Sequence, residues 1–266
     1  MLNVALLGAS GRMGRTLVPL VLEGEGLRLS GALAAPDDPA IGQDAGVLAG
    51  TAPVAVVVTD DPGRALADAQ VAIDFTLPAA SVTHARACRE RSVPMVIGTT
   101  GHDAAARAVL AKVAESIPIV MAPNMSLGVN LLFKLAELAA RALDASYDAE
   151  IFEAHHRHKV DAPSGTALGL GQAVAQGRGT TLEKVAIYAR HGATGPRPAG
   201  GIGFSVQRGG DIVGDHRVVF AGPGEQVELV HHAQDRSGFA RGALAAARWV
   251  VGRPPGWYSM LDVLGL

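Results

Sequence analysis

Short apolar runs alternate with amphipathic stretches through the first half of the chain. Strands are predicted over residues 4–7, 27–33, 54–58, 71–76, 94–97 and 118–121, most of which are continuous apolar runs that suit burial on both faces. Between them, apolar positions recur with helical spacing over residues 16–22, 79–91 and 103–115, and Asp60-Asp61-Pro62 opens a further helix. Repeated strand–helix units of this kind predict a doubly wound parallel sheet with ligands at the carboxyl ends of its strands.

This alternation stops after residue 126. Ser126 is a suitable N-cap for a long apolar helix over residues 127–143. The strands predicted beyond it, separated by glycine-rich turns, are residues 149–159, 185–190, 202–207, 212–221 and 226–232. Helices are predicted over residues 167–175 and 237–251, the second ended by Pro254-Pro255. An open sheet with few helices leaves one face to cover, which predicts a homo-oligomer.

Composition narrows the class of protein. Hydrophobic residues make up 48% and charged residues 18% of 266 residues, as in a folded globular chain. The formal net charge of −2 does not favour binding to nucleic acid, which attracts strongly basic surfaces. A single cysteine, Cys88, excludes an intrachain disulfide and favours a reducing, cytoplasmic setting. We expect neither a signal peptide nor a membrane span, since the sequence has no apolar run of the required length.

A glycine-rich loop follows the first predicted strand. Gly8, Gly11 and Gly14 form G-x-x-G-x-x-G between a buried strand and a helix, a variant of the dinucleotide fingerprint. Glycine is needed because a β-carbon would block the approach of a pyrophosphate to the helix N–H groups. Arg12 and Arg15 could add cationic contacts. The loop therefore predicts nucleotide binding.

The acidic residue that usually binds the adenosine ribose is missing from its expected place. About 20 residues beyond the glycines lies Ala34, followed by Ala35 and Pro36. Asp37 and Asp38 are close, but the sequence does not place them. The choice between NADH and NADPH therefore stays open.

A second segment with candidate chemistry is residues 153–166, EAHHRHKVDAPSGT. Three His, one Arg and one Lys occupy positions 155–159, and as a strand they would alternate between two faces that no ordinary core accommodates. Ser164-Gly165-Thr166 then begins a helix, whose N-terminal N–H groups suit a carboxylate or phosphate. The combination predicts a site for a small polyanion that undergoes proton transfer.

Other interpretations of the His-rich segment are a solvated strand face and a zinc site. Zinc is disfavoured by the adjacent charges of Arg157 and Lys159 and by the lack of a second cysteine, so we expect no metal. His216, within a predicted strand, is expected to be packed or solvated, and His231 and His232 are expected to be surface groups.

The motifs quoted above, with residues 75–76, 98–101 and 122–124, resemble those of the dihydrodipicolinate reductase family over essentially the full length. The resemblance implies an α/β fold: a Rossmann-type doubly wound parallel sheet with a second α+β domain built on an open mixed sheet. It implies a dinucleotide-binding domain of residues 1–126 plus 236–266 and a substrate-binding and oligomerisation domain of residues 127–235. The implied reaction reduces 4-hydroxy-tetrahydrodipicolinate to tetrahydrodipicolinate in the diaminopimelate route to lysine, with NADH or NADPH, in a cytoplasmic homotetramer.

Site residues carry over from the resemblance position by position. His155 matches the proton donor and Lys159 a second catalytic donor that also binds substrate, while the remaining substrate contacts match His156, Gly165 and Thr166. The matching cofactor contacts are Gly8, Ala9, Ser10, Gly11, Arg12, Met13, Gly98, Thr99, Thr100, Ala122, Pro123, Asn124 and Met125. Two positions depart from the family pattern: Met125, where Phe is common, and Ala34, where an acid is common.

Two other functions compete with this interpretation. A different two-domain nicotinamide oxidoreductase, acting on aspartate or homoserine derivatives, would keep the glycine loop but would not need the segment from His155 to Thr166. A nucleotide-sensing protein would bind NAD(P)H without turnover of a small dicarboxylate. The expected partners are a small dicarboxylate and other copies of the chain, with neither nucleic acid nor membrane.

Overall fold

The computed structural model describes all 266 residues, which divide into unit 1, residues 1–127 and 236–266, and unit 2, residues 128–235. The strands are β1 Leu2–Leu7, β2 Leu27–Leu33, β3 Val58–Thr59, β4 Val71–Asp74, β5 Met95–Ile97, β6 Pro118–Met121, β7 Asp148–His155, β8 Ala186–Ile187, β9 Ile202–Arg208, β10 Gly214–Gly222, β11 Glu225–Ala233 and β12 Gly256–Tyr258. The helices are α1 Arg12–Glu23, α2 Ala45–Leu48, α3 Pro62–Ala65, α4 Pro78–Glu90, α5 Ala104–Ala114, α6 Leu127–Ala142, α7 Gly165–Gly177, α8 Leu182–Val185, α9 Ser237–Val250 and α10 Met260–Leu264. None of these helices combines the length and apolarity that crossing a membrane requires.

Unit 1 contains a seven-stranded parallel sheet in the order β12-β6-β5-β4-β1-β2-β3. The predicted doubly wound fold is confirmed. The chain runs from β1 outward through β2 and β3, then returns to place β4 on the other side of β1. The strand order therefore reverses between β1 and β4, the position where such sheets bind ligands.

The central strands of this sheet are buried on both faces. Val4 and Leu6 belong to the hydrophobic core on one side of β1, while Ala5 and Leu7 belong to the core on the other. All four are at most 2% exposed, and burial of each Leu contributes about 1.5–3 kcal/mol. This is why the strand is a continuous apolar run in the sequence.

The strand predicted over residues 54–58 is wrong for most of its length, because only Val58–Thr59 pairs with β2. Asp44 holds the preceding residues in a loop. Its carboxylate caps α2 and also accepts the Val54 N–H at 3.1 Å. Ala55 has a φ of 58°, which a strand does not accommodate.

Two elements that follow Pro254-Pro255 were not predicted. β12 extends the parallel sheet beside β6, with Trp257 opposite Ile119. Ser259 then begins α10 with a capping box that it shares with Asp262. A three-residue edge strand carries too little periodicity to be recognised from sequence.

Unit 2 contains a five-stranded mixed sheet in the order β11-β10-β7-β9-β8, with parallel pairs at β7–β9 and β8–β9 and antiparallel pairs at β7–β10 and β10–β11. On one face, Ile151 and Phe204 pack in a core with residues of α6 and α7. The opposite face is more open. There the Arg217 guanidinium lies 5.6 Å from the ring centroid of Phe152, and Val230 is 46% exposed.

Two predicted strands of unit 2 are shorter than expected. The strand predicted over residues 185–190 is reduced to β8, Ala186–Ile187. β7 ends at His155 and does not continue to Lys159. A turn replaces its end, because Arg157 N–H donates to Gly210 O at 3.2 Å and Lys159 N–H donates to His156 O at 3.1 Å.

Candidate active site

His155 is held at the end of β7 by the side chain of Glu153. Nδ1 of His155 lies 2.5 Å from Oε2 of Glu153, with Glu153 fully buried and His155 9% exposed. Residues i and i+2 of a strand share a face, which is why the two side chains meet. Because an ionised carboxylate can only accept a hydrogen bond, Nδ1 of His155 carries a proton and donates it to Glu153. Nε2 is therefore the ring nitrogen that can exchange a proton with a substrate.

Glu153 is the centre of a buried hydrogen-bond network. Arg208 donates to both carboxylate oxygens, from Nη1 at 2.8 Å and Nη2 at 2.7 Å, and the Ser164 N–H donates at 3.0 Å. Burial by itself would raise the pKa of Glu153, but the bonds from Arg208, His155 and Ser164 outweigh burial and lower it. Glu153 is therefore a carboxylate at neutral pH, in a bidentate pair with Arg208.

The imidazole of His216 packs against that of His155. Their ring centroids are 5.1 Å apart in an edge arrangement, and Nε2 of His216 lies 3.2 Å from Oγ of Ser164. Burial, followed by the charge of His155, lowers the pKa of His216 to about 4. His216 is thus packed, as expected, but the ring that it contacts is the proposed proton donor.

The open side of His155 lies beside Gly214, the first residue of β10. A β-carbon at Gly214 would lie 3.1 Å from Nε2 of His155, so glycine leaves the space next to this atom clear. Burial lowers the pKa of His155, Glu153 opposes that shift, and the charges of Lys159 and Arg208 reinforce it. His155 is therefore mainly neutral near pH 7 in the chain alone.

Lys159 lies in the turn that follows β7. Its Nζ is 2.9 Å from Oδ1 of Asp161, with the Lys159 side chain 22% exposed. The prediction that Arg157 and Lys159 share a strand face with His155 is wrong, because the strand has already ended. The ammonium is nevertheless near enough to His155 to influence its pKa.

The remaining predicted substrate contacts lie around the start of α7. Gly165 and Thr166 are its first two residues, and Ser164 caps it by accepting the Ala167 N–H at 3.2 Å. A β-carbon at Gly165 would meet nothing within 4 Å, so the helix end faces open space. Such a terminus suits a carboxylate. In the turn before it, Nδ1 of His156 is buried without a hydrogen-bond partner.

The chain contains no group of three or more His, Cys, Asp and Glu side chains placed to hold a metal ion.

The glycine loop in unit 1 fits a pyrophosphate. Gly8 has a φ of 87°, and a β-carbon there would lie 2.6 Å from the Phe75 carbonyl oxygen. A β-carbon at Gly14 would lie 2.5 Å from Ala9 O, so the loop and helix meet without room for a side chain. No side chain caps the first turn of α1, whose N-cap is Gly11. Its N–H groups are therefore suited to an anion.

Asp74 fixes the loops after β4 and β5. It is fully buried and accepts hydrogen bonds from Oγ1 of Thr99 at 2.5 Å and Oγ1 of Thr76 at 2.8 Å. Nδ1 of His84 lies 2.8 Å from its other oxygen. At Gly98 a side chain would overlap the Phe75 ring. These contacts hold Gly98 and Thr99 beside the strand-order reversal, and Thr100 follows them exposed to solvent.

The loop after β6 contains the last predicted cofactor contacts. Ala122 and Met125 are buried in the core of unit 1 at 4% and 2% exposure, while Pro123 is exposed. The Asn124 side chain accepts the Ser126 N–H at 2.9 Å. Met125 therefore contributes to packing, and the loop backbone lies at the same sheet edge as the glycine loop.

Several residues of these networks were not predicted as site residues. Glu153 could have been found from its spacing of two before His155. Arg208 could not, because it reaches the site through the pairing of β9 with β7, in which it lies opposite His155. His216 depends in the same way on the pairing of β10, where it lies opposite Glu153.

A doubly wound sheet with a glycine loop at its strand-order reversal, joined to a unit with a buried His–Glu–Arg network, defines a nicotinamide-dependent oxidoreductase of the two-unit type. Residues 2–125 match the family described as "Dihydrodipicolinate reductase, N-terminus", and residues 128–264 match "Dihydrodipicolinate reductase, C-terminus". The chain belongs to the dihydrodipicolinate reductase family.

Individual proteins agree with this assignment. The chain is 58% identical over 264 residues to 4-hydroxy-tetrahydrodipicolinate reductase of Thiobacillus denitrificans, covering 99% of this chain and 98% of that protein. It is 54% identical over 266 residues to the Nitrosomonas eutropha protein of the same name, covering 100% and 99%. A solved structure, dipicolinate-bound dihydrodipicolinate reductase from Paenisporosarcina sp. TG-14, is similar with a TM-score of 0.79 at 26% identity over 98% of each chain.

Proposed function

We propose that this chain reduces 4-hydroxy-tetrahydrodipicolinate to tetrahydrodipicolinate with a reduced nicotinamide dinucleotide, in diaminopimelate and lysine biosynthesis. The observation that carries the proposal is the His155–Glu153 pair, with the Lys159 ammonium and the start of α7 close by. Cations and a helix N-terminus match a substrate with two carboxylates, and an imidazole matches the need for a proton. The relatives that bear this enzyme name span the full chain.

The dinucleotide, when bound, supplies a hydride. Its pyrophosphate would be held by Gly8, Gly11 and the first turn of α1, where the glycines leave room for it and no side chain caps the N–H groups. The backbone around Thr99 and Asn124 would contact its other half, since both lie at strand ends near the reversal of strand order.

In the proposed reaction, the cyclic substrate gains a hydride from the dinucleotide and a proton that His155 donates from Nε2, and its 4-hydroxyl group leaves as water. Glu153 keeps Nδ1–H oriented and stabilises the imidazolium form, so that Nε2 is the atom presented to the substrate. The pKa of His155 is lowered in the chain alone, mainly by burial. A bound dicarboxylate brings negative charge that raises this pKa and promotes protonation at the moment when a proton is needed.

Lys159 is proposed to hold a carboxylate or the developing negative charge. Its present partner, Asp161, is a carboxylate on the same turn at 2.9 Å, so a substrate carboxylate can take over an interaction that already exists. Gly165 and Thr166 would hold the other carboxylate at the helix start. His156 is a further donor for the substrate.

The experiment that tests this function is a coupled assay that follows the absorbance of reduced nicotinamide while the cyclic substrate is made in situ. We expect His155→Ala to lower kcat by on the order of 10²–10⁴, and Lys159→Ala to lower kcat and raise KM. His158→Ala is the matched control, because this imidazole of the same segment is exposed. Full activity in the His155 variant, or no turnover by the unmodified protein, would refute the proposal.

We also propose that the protein is a cytoplasmic homotetramer, assembled through the open face of the sheet in unit 2. The half-buried Phe152 and the exposed Val230 are apolar groups on that face. Light scattering of the purified chain tests this, with four copies expected and a monomer at micromolar concentration contradicting it.

A further inference from the structure

The strand end that usually carries the ribose-binding acid is apolar in this chain. Ala34, directly after β2, is 6% exposed and has no polar side chain. Ala35 and Pro36, which follow, have none either. A Rossmann-type sheet of this kind usually has Asp or Glu here, where it accepts hydrogen bonds from the adenosine ribose.

A tight turn brings another carboxylate to the glycine loop. Asp38 N–H donates to Ala35 O at 3.1 Å, and Asp37 between them has a φ of 65°. The chain therefore reverses and directs the Asp38 side chain toward the loop. Oδ2 of Asp38 accepts the Ser10 hydroxyl at 2.7 Å, while Oδ1 accepts the Ala40 N–H at 2.9 Å.

Asp38 is ionised at neutral pH. The hydrogen bonds from Ser10 and from the Ala40 N–H lower its pKa and outweigh burial, which raises it, and the charge of Arg15 adds a smaller lowering effect. Arg15 is itself engaged with the loop, since its Nε donates to Ser10 O at 2.9 Å. The charged groups facing this position are thus Asp38 and Arg15, with the exposed Arg12 one turn away on α1.

We propose that Asp38 replaces the missing strand-end acid, accepts hydrogen bonds from the adenosine ribose, and selects NADH over NADPH. The inference rests on the proposed function only in taking a reduced nicotinamide dinucleotide as the ligand. A 2′-phosphate placed beside the Asp38 carboxylate would meet a like charge, whereas a ribose hydroxyl would meet an acceptor. Arg15, which could attract the phosphate, already neutralises part of the Asp38 charge and is tied to Ser10.

Equilibrium binding of NADH and NADPH to the purified full chain, without substrate, tests the proposal through nicotinamide fluorescence. We expect NADH to bind at least about 10-fold more tightly than NADPH. Asp38→Asn keeps an oxygen that can accept from Ser10 but removes the charge, and should bring the two affinities within about 3-fold. The smaller difference between the two affinities in Asp38→Asn should come chiefly from tighter binding of NADPH.

Asp37→Asn is the control, because it removes the same charge from the exposed neighbouring residue and should leave the ratio of affinities unchanged. Thermal unfolding without ligand verifies that both variants are folded. Equal or tighter binding of NADPH by the unmodified chain would overturn the proposal, as would an unchanged ratio in Asp38→Asn or binding of neither dinucleotide. Absence of turnover with an intact preference for NADH would count against the proposed reaction alone.

Discussion

Replacing Glu153 by Gln separates its effect on the His155 proton from its effect on folding. The substitution keeps the size of a fully buried side chain but removes the charge that pairs with Arg208 and accepts from His155. Breaking a buried ion pair costs about 3–5 kcal/mol. The Arg208 side chain is 19% exposed, so its stranded charge still reaches water, and we expect the lower end, about 3 kcal/mol.

The same substitution should change the pH dependence of catalysis. Glu153 raises the pKa of His155 through its hydrogen bond and its charge, against the larger effect of burial. Without the Glu153 charge, the pKa of His155 falls further below its usual value. Since His155 is proposed to act as an acid, kcat/KM decreases as pH rises through its pKa, and this decrease should move to lower pH. We also expect kcat to fall by about 10²-fold or more, because the imidazolium loses its counterion.

The measurements are denaturant unfolding and kcat/KM across pH for Glu153→Gln beside Glu150→Gln. Glu150 also lies on β7 and also pairs with arginines, Arg190 and Arg197, but three residues from Glu153 it is on the opposite strand face. The control should lose stability without moving the pH profile. If Glu153→Gln loses stability but keeps the pH profile of the unmodified enzyme, Glu153 does not position the proton donor.

Two further predictions concern folding alone. His216 has a folded pKa of about 4, below its unfolded value of about 6.5, so the unfolded chain binds the extra proton and this residue lowers stability by about 2 kcal/mol between pH 7 and pH 5. His216→Gln should remove that loss in denaturant titrations while the exposed His232→Gln keeps it, and equal pH dependence in both would contradict the reasoning. Gly14→Ala would place a β-carbon 2.5 Å from Ala9 O and should destabilise by about 1–3 kcal/mol. Gly11→Ala, whose nearest neighbour would be 3.3 Å away, should cost less, under about 1 kcal/mol at this N-cap position, so equal losses of stability in the two variants would show that the loop shifts to make room at Gly14.

Most elements of unit 1 could be predicted because each is defined by local chemistry. β2 was predicted with the bounds that the structure has, and a buried leucine lies at each end, Leu27 and Leu33. Asp61 and Asp103 cap α3 and α5 at the predicted positions through their own side chains. The prediction of a strand over residues 54–58 was wrong because Asp44, ten residues before Val54, accepts the Val54 N–H with its carboxylate. Apolar composition does not reveal such a contact.

The sequence by itself determined which residue types are present for the chemistry: the loop glycines, the run of His and Lys, and the Ser-Gly-Thr helix start. Each of these motifs is contiguous in the sequence. The anion-binding and proton-transferring groups can therefore be recognised without the fold. Only the tertiary structure decided which groups set their protonation. Arg208 and His216 reach Glu153 and His155 across strand pairs, and Asp38 reaches Ser10 across 28 residues. A pKa depends on burial and on charges within a few ångströms, and those distances exist only after the strands have paired.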